Sequence, residues 1–120
     1  MIGASAAVSI SDVPFNGPIA GVGLGYHDGE YFINPTCEQR KISDMYCTIA
    51  ATSEKIVMIE AGGDQIPEDV MLNGIIKAHE VIKPVIELIN KMVAEVGKPK
   101  FEYEHSSFNE ELFAKIVENY

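Results

Sequence analysis

The side chains of this sequence that could carry acid–base or metal chemistry are three histidines and a scatter of carboxylates. His79 and Glu80 are adjacent in a segment with helical periodicity, but no second histidine follows four residues later to complete a zinc-binding helix. A packed or surface histidine is therefore favoured over a metal ligand at His79. His27, Asp28 and Glu30 share one short turn, where an exposed polar loop is favoured over a general-base pair.

The remaining carboxylates do not converge on a recognisable kind of site. The spacing of Asp44, Glu60 and Asp64 does not place them close together. A second acidic group lies near the C-terminal end and consists of Glu102, Glu104, Glu110, Glu111 and Glu118. For this group a solvated face is favoured over a cation site.

The hydroxyls and thiols also lack a pattern typical of catalysis. Ser5, Ser9 and Ser11 have no elbow motif or neighbouring base that would make a nucleophile. Cys37 and Cys47 are too few for a disulfide framework and lack the paired spacing of a zinc site, so buried or idle thiols are favoured. We therefore expect no catalytic, cofactor-binding or metal-binding residue in this chain.

A run of alternating glycines invites comparison with a phosphate-binding loop. Gly21-Val22-Gly23-Leu24-Gly25 lacks the GxGxxG spacing and is not followed by Gly-Lys-Ser or Gly-Lys-Thr. Glycines inside a strand more often permit the close approach of another backbone or side chain. We expect that packing role here.

Two β-hairpins are predicted to position most of these side chains. The first pairs Ile19–Tyr26 with Tyr31–Ile33 around Asp28-Gly29, because both turn residues suit the positive φ angles of a type I′ turn. The second pairs Met45–Ala51 with Lys55–Glu60. Together they predict a small sheet.

The sequence also predicts the structure of the segments in and beside the second hairpin. The polar stretch Glu38–Asp44 is predicted to be a loop that can include a short helical turn. The run Ile56–Ile59 is apolar at every position, which predicts a strand sandwiched between layers. Gly62-Gly63 is predicted to end that strand.

Helices are predicted at both ends of the chain and after the second hairpin. Met1–Ile10 is small and apolar, without a capping residue, and resembles the back half of a helix. Pro67–Val96 is amphipathic, ends at Gly97, and contains Pro84, which should bend or split it. Its predicted apolar stripe is Met71, Ile75, Ala78, Ile82, Val85, Ile89, Met92 and Val96.

The last predicted helix is Asn109–Tyr120, with Asn109 as its cap and an apolar side formed by Leu112, Phe113, Ile116 and Val117. It has no stop signal. We therefore expect the chain to be part of a longer polypeptide.

Composition and charge limit the class of function. A chain of 120 residues with 47% hydrophobic residues suits one globular domain, and no apolar run is long enough for a membrane span, so we expect a cytoplasmic protein. The net charge of -9 disfavours strong nucleic-acid binding by this chain alone. The elements predict an α+β fold, with a small mixed sheet from the two hairpins, the first helix on one side and the long helix on the other.

Three segments in fixed order carry a family resemblance. They are Ile2-Gly3-Ala4-Ser5-Ala6-Ala7 running into Ser11-Asp12-Val13-Pro14-Phe15-Asn16-Gly17-Pro18-Ile19, then Gly25-Tyr26 with Gly29–Thr36, then Val57-Met58-Ile59-Glu60-Ala61-Gly62. Together with Met71–Glu80 and Gly97-Lys98-Pro99, this combination closely resembles the polynucleotide phosphorylase family, also called polyribonucleotide nucleotidyltransferases.

The resemblance implies a fold and an activity. Residues 1–99 resemble the second half of the family's first RNase-PH-like domain, in the manner of an RNase PH C-terminal subdomain, and residues 100–120 the start of its all-helical region. Family members are exoribonucleases that degrade RNA from the 3′ end with inorganic phosphate and a divalent metal such as Mg²⁺, releasing nucleoside diphosphates. Three subunits form a ring, so the resemblance implies RNA as a partner and a homotrimer for the longer protein.

The resemblance also implies that this part of the protein is not catalytic. In the family's second RNase-PH-like domain, the strand equivalent to Met45–Thr52 carries an Asp-x-Lys pattern that serves metal binding and supplies a cation. The matching positions here are Tyr46 and Thr48, which are a poor Mg²⁺ ligand and an uncharged residue. We expect a structural scaffold; the alternative is a stand-alone oligomerisation or interaction module with the same fold.

Overall fold

Helices and antiparallel hairpins alternate along the computed structural model, which describes residues 1–104 and 106–119. The elements are α1 Ile2–Ile10, β1 Ala20–His27, β2 Glu30–Ile33, α2 Cys37–Ile42, β3 Met45–Ala51, β4 Ile56–Gly63, α3 Glu68–Val96 and α4 Glu110–Asn119. The α+β class and both hairpins are confirmed. The predicted helices at Met1–Ile10 and Pro67–Val96 are confirmed to within a residue or two.

The sheet has the strand order β2-β1-β3-β4, and every neighbouring pair is antiparallel. The prediction of a mixed sheet is therefore wrong. A parallel neighbour needs a crossover of about a dozen or more residues, whereas each hairpin here closes through a short turn. In the first turn Asp28 and Gly29 have φ angles of 46° and 84°, as a type I′ turn requires.

The core lies between the sheet and one face of α3. Leu24 on β1 and Met45 and Ile49 on β3 are almost fully buried against Ile82 and Ile86 of the helix. Gly74 lets the helix approach the sheet closely, since a Cβ atom there would lie 2.7 Å from Cδ2 of Leu24. The Tyr31 hydroxyl donates a 2.7 Å hydrogen bond to the carbonyl oxygen of Val70, which ties β2 to the start of α3.

The long helix extends beyond the sheet. Its 29 residues span about 43 Å, whereas a strand of eight residues spans only about 26 Å. Met92 and Val96 are therefore 38% and 63% exposed, although the periodicity placed both on the apolar stripe of the helix. Pro84 lies inside a helix that is continuous from Glu68 to Val96, so the predicted split does not occur.

The first helix packs against both α3 and β1. Its first residue also reaches β1, since a Cβ atom at Gly21 would lie 2.8 Å from the sulfur of Met1. The chain after α3 then runs along the end of α1. The backbone N–H groups of Lys98 and Phe101 donate to the carbonyl oxygens of Ile10 and Asp12, at 3.0 Å and 2.9 Å.

The fourth strand lies at the edge of the sheet. Val57, Met58 and Ile59 are 57%, 39% and 49% exposed, so the prediction of a strand sandwiched between layers is wrong. The α3 helix covers β1 and β3 but does not extend over β4 to the same degree. The strand ends at Gly63, within the glycine pair predicted to end it, although both glycines still pair, with Tyr46 and Met45.

Two smaller helices complete the described chain. The loop predicted at Glu38–Asp44 begins as the helix α2, whose capping box joins Thr36 and Gln39 through reciprocal side-chain to backbone hydrogen bonds. Asn109 caps α4 as predicted, since its Oδ1 accepts a 2.9 Å hydrogen bond from the N–H of Leu112. The predicted last residue of that helix, Tyr120, lies outside the described residues, as does His105. None of the described helices is both long enough and apolar enough to cross a bilayer.

Candidate functional site

A cleft lies on the face of the sheet that points away from α3. Side chains alternate between the two faces of a strand, so the buried Met45, Cys47 and Ile49 leave Tyr46 and Thr48 on the opposite face. A cavity of about 270 Å³ there is lined by Gly23, Leu24, Asn34, Pro35, Arg40, Tyr46 and Thr48. An adjoining cavity of about 250 Å³ shares Arg40 and Tyr46 and reaches Gly25 and Ser43.

Glycines form the floor of the cleft and set its shape. Tyr46 pairs with Gly25 on β1 and with Gly62 on β4, so neither cross-strand neighbour places a side chain beside its ring. The Tyr46 side chain is 51% exposed. A Cβ atom at Gly25 would lie 2.7 Å from Oγ of Ser43, which confirms that a glycine of this run permits a close approach.

Asn34 and Ser43 hold the loops that border the cleft. Asn34 adopts a φ of 50°, its N–H donates to the carbonyl oxygen of Gly23 at 2.7 Å, and its Oδ1 accepts from the Gly23 N–H at 2.9 Å. The Ser43 hydroxyl accepts from the Tyr26 N–H at 2.8 Å and donates to the Met45 carbonyl oxygen at 2.7 Å. Both loops are therefore fixed to the central strands by hydrogen bonds.

Arg40, the single arginine of the chain, lies at the rim of the cleft. Its Nε donates a 3.1 Å hydrogen bond to the carbonyl oxygen of Pro35, which anchors the guanidinium group. The nearby carboxylate of Glu38 pairs instead with Lys41, at 3.0 Å. Within residues 1–104 and 106–119, Arg40 forms no ion pair, and it is the one charged side chain that lines the cleft.

His27 lies at the end of the first hairpin, where an exposed polar turn was predicted. Its Nδ1 lies 2.8 Å from Oδ2 of Asp44, and both side chains are nearly half exposed. The N–H of Asp64 donates to the carbonyl oxygen of Asp44 at 2.9 Å, so two of the three acidic positions that spacing could not place are neighbours. Glu60 lies farther along β4, where it pairs with Thr48. A half-exposed side-chain contact of this kind contributes little to stability.

His79 is a packed histidine, as predicted. Its Nε2 lies 3.0 Å from the carbonyl oxygen of Thr52 and joins α3 to the turn of the second hairpin. Its neighbour Glu80 forms a 2.7 Å ion pair with Lys83, and this hydrogen bond holds the pKa of the Glu80 carboxyl below its ordinary value. Among the residues that the structure describes, no three His, Cys, Asp or Glu side chains are grouped so that they could hold a metal ion.

The candidate serines, the cysteines and the glutamates near the C-terminal end do not line the cleft. Ser5 and Ser9 are buried in α1, and Ser11 donates to the carbonyl oxygen of Val8 at 2.8 Å. Cys47 is buried, which raises the pKa of its thiol, and Cys37 is exposed. The five acidic residues predicted to form a solvated face are all exposed: Glu102, Glu104, Glu110, Glu111 and Glu118.

Comparison with known proteins identifies the family of this fold and cleft. Residues 17–81, which include the whole of the cleft, match the model of the 3′ exoribonuclease family, domain 2. This chain belongs to the 3′ exoribonuclease family. The match also confirms the RNase PH C-terminal-subdomain-like fold expected from the resemblance.

The relatives compared with this chain share one name. The chain is 58% identical to the polyribonucleotide nucleotidyltransferase of Ruminiclostridium cellulolyticum, over 98% of the chain and 17% of the relative. The corresponding enzymes of Caldicellulosiruptor saccharolyticus and Streptococcus gordonii are 48% and 49% identical, over 98% and 100% of the chain. The chain spans about one sixth of the length of these relatives. The resemblance to the polynucleotide phosphorylase family is confirmed.

The sequence analysis named Tyr46 and Thr48 only as positions without catalytic groups, and it did not identify Arg40, Asn34 and Pro35, which line the same cleft. The capping box of Thr36 and Gln39 is a sequence signal that could have predicted α2. A helix immediately after the first hairpin would have placed Arg40 beside the sheet face.

Proposed function

We propose that this chain is a non-catalytic scaffold part of a longer phosphorolytic 3′-to-5′ exoribonuclease, which releases nucleoside diphosphates from RNA in mRNA degradation. The names of its relatives support the parent activity. The scaffold role rests on the side chains of the cleft.

The observation that carries this proposal is that Tyr46 and Thr48 stand at the positions where the resemblance implies an Asp-x-Lys pattern in the family's second RNase-PH-like domain. Mg²⁺ prefers carboxylate, phosphate and water oxygens. No carboxylate lines the cleft among the described residues, and its one charged group is the cation Arg40. Mg²⁺ therefore does not fit this cleft, and we assign the metal, with the phosphorolysis reaction that uses inorganic phosphate, to another part of the longer protein.

The same proposal includes a homotrimer in the cytoplasm that reaches RNA through other parts of the longer chain. The net charge of -9 supports this division, since phosphate backbones are held by clustered Lys and Arg. The exposed apolar side chains of β4 support an interface, because a long apolar edge strand left open favours aggregation.

A phosphorolysis assay tests the scaffold role. The 120-residue chain is incubated with poly(A), Mg²⁺ and inorganic phosphate, and released ADP is measured with the full-length relative from R. cellulolyticum as the positive control. We expect ADP from the relative and none above background from the chain. Phosphate-dependent release by the chain itself would overturn the proposal.

A stand-alone oligomerisation or interaction module is the second candidate. It is favoured by the exposed apolar side of α4, where Leu112, Phe113 and Ile116 are at least 50% exposed. Light scattering after size exclusion tests this candidate: a stable trimer or dimer of the 120-residue chain supports the module, and a monomer at every concentration counts against it.

A further inference from the structure

We infer that the cleft beside Tyr46 binds a single nucleotide, with its base stacked on the Tyr46 ring and its phosphate on the guanidinium of Arg40. This inference goes beyond the scaffold role and does not depend on it, because binding at the cleft requires only the residues described here.

The first support is the open aromatic ring. Tyr46 lies between Gly25 and Gly62 on the neighbouring strands. Even a Cβ atom added at Gly62 would come no closer to the Tyr46 ring than 3.9 Å, from Cδ1. Among the described residues, no other aromatic ring pairs with Tyr46. Both sides of the ring are thus free of cross-strand side chains. Stacking of a base on such a ring contributes about 1–3 kcal/mol in single-strand binding proteins and tolerates any base.

The second support is the state of the arginine. The bond from Nε to the Pro35 carbonyl oxygen fixes the guanidinium, while its two terminal nitrogens form no hydrogen bond or ion pair with the described residues. Arginine prefers phosphate and carboxylate because its planar group donates two parallel hydrogen bonds. The cleft therefore presents one positive charge on a protein of net charge -9.

The size and polarity of the cleft limit the ligand to about one nucleotide. Its two adjoining cavities measure about 270 Å³ and 250 Å³, near the lower end of the range for small-molecule sites. Asn34 uses its Oδ1 on the Gly23 N–H, which leaves its amide NH₂ for a ligand. Glu60 pairs with Thr48 on β4, and its negative charge would repel a phosphate there. We therefore place the phosphate at the end of the cleft beside Arg40.

The test is an NMR titration of the ¹⁵N-labelled 120-residue chain with AMP. We expect saturable shifts at the amides of Gly23, Gly25 and Thr48. Adenosine alone and inorganic phosphate alone should each bind at least about tenfold more weakly, because each lacks one of the two contacts. A hexamer of adenylate should bind no more tightly than AMP, since the rest of the surface is acidic.

Three variants locate the site. Arg40→Gln and Tyr46→Leu should each weaken AMP about tenfold, through the lost charged hydrogen bonds and the lost stacking. Lys41→Gln removes the same charge from the next residue, which pairs with Glu38 outside the cleft, and should leave the affinity nearly unchanged. Gly23→Ala narrows the floor without a clash, since the nearest atom to the new Cβ is 3.7 Å away, and should also weaken AMP.

Several results would overturn the inference. They are the absence of saturable shifts with AMP, equal losses in Arg40→Gln and Lys41→Gln, and equal affinity for adenosine and AMP. Tighter binding of the hexamer with a steep dependence on salt would replace the single-nucleotide site by an RNA-binding surface.

Discussion

The ammonium group of Lys100 lies 2.6 Å from the carbonyl oxygen of Ser11, at the C-terminal end of the first helix. It also donates to the carbonyl oxygens of Val8 and Ser9, at 3.1 Å and 2.8 Å, so all three of its protons are used. The last carbonyls of a helix have no partner within the helix and carry its negative dipole end. A lysine distant in sequence therefore caps α1.

Lys100→Met should destabilise the chain by about 1–2 kcal/mol, because it removes the charge and the hydrogen bonds at the end of α1. Urea denaturation followed by circular dichroism measures the change. Lys98→Met is the matched control, since the hydrogen bond of Lys98 to α1 comes from its backbone N–H, which methionine keeps. Equal losses in the two variants would show that the Lys100 contacts do not contribute.

Ser5→Ala and Ser9→Ala should differ although both serines are 5% exposed in α1. Oγ of Ser5 accepts a 3.0 Å hydrogen bond from the N–H of Ile19, and its loss should cost about 1–3 kcal/mol. Oγ of Ser9 is buried with no hydrogen-bond partner among the described residues, so alanine there should be neutral or stabilising. Thermal unfolding of the two variants checks the difference, and a larger loss for Ser9→Ala would contradict it.

Gly74→Val should destabilise the chain by about 1–3 kcal/mol, although valine is a better helix former than glycine. The new side chain would meet Cδ2 of Leu24 at 2.7 Å and Cε1 of Tyr31 at 3.0 Å, within the packed core. Asn73→Ala, on the exposed side of the same helix, controls for helix propensity and should be neutral or slightly stabilising. The free energy of unfolding in urea is the measurement; a stable Gly74→Val variant would refute the close helix-to-sheet contact.

The Glu80 carboxyl should titrate below its ordinary pKa, because Lys83 donates a hydrogen bond to it. A lowered pKa in the folded state means that the pair contributes stability above the unfolded-state pKa and loses it as the pH falls through the folded-state value. Carbon-detected NMR titration measures the pKa directly. Lys83→Met should raise it towards the ordinary value, while Lys91→Met, which removes a cation elsewhere on the helix, should not.

Local sequence signals predicted the elements well because their causes are local. Asp28-Gly29 identified the first hairpin through the positive φ angles that these residues tolerate. The helix from Glu68 to Val96 followed from its periodicity, with Gly97 directly after it.

The predictions of burial failed where burial depends on the extent and strand order of the whole sheet. Periodicity shows that Met92 and Val96 share a face with Ile82, but it does not show where the sheet beneath them stops. The apolar run of β4 was assigned to the interior for the same reason, since an edge strand and a central strand can have the same composition.

The candidate cleft was not predicted, and the sequence analysis named Tyr46 and Thr48 only as positions that lack the family's Asp-x-Lys pattern. Tyr46 and Thr48 could be placed on one strand face by alternation, and the family resemblance drew attention to them. Arg40 reaches the same face only because α2 folds back after the first hairpin, and the bond from its Nε to Pro35 depends on that arrangement. The contact of Lys100 with α1 has no local sequence signal, since 89 residues separate it from Ser11.

That separation also affects the order in which the chain assembles. The two hairpins close through short turns, whereas the docking of residues 98–101 on the end of α1 closes a loop of about ninety residues, and loop closure costs more entropy as a loop lengthens. The sheet and α3 can therefore form before residues 98–101 dock on α1. Segments held by few buried contacts open more readily than a core, so in hydrogen exchange the amides of Lys98 and Phe101 should lose protection well before those of β1 and β3.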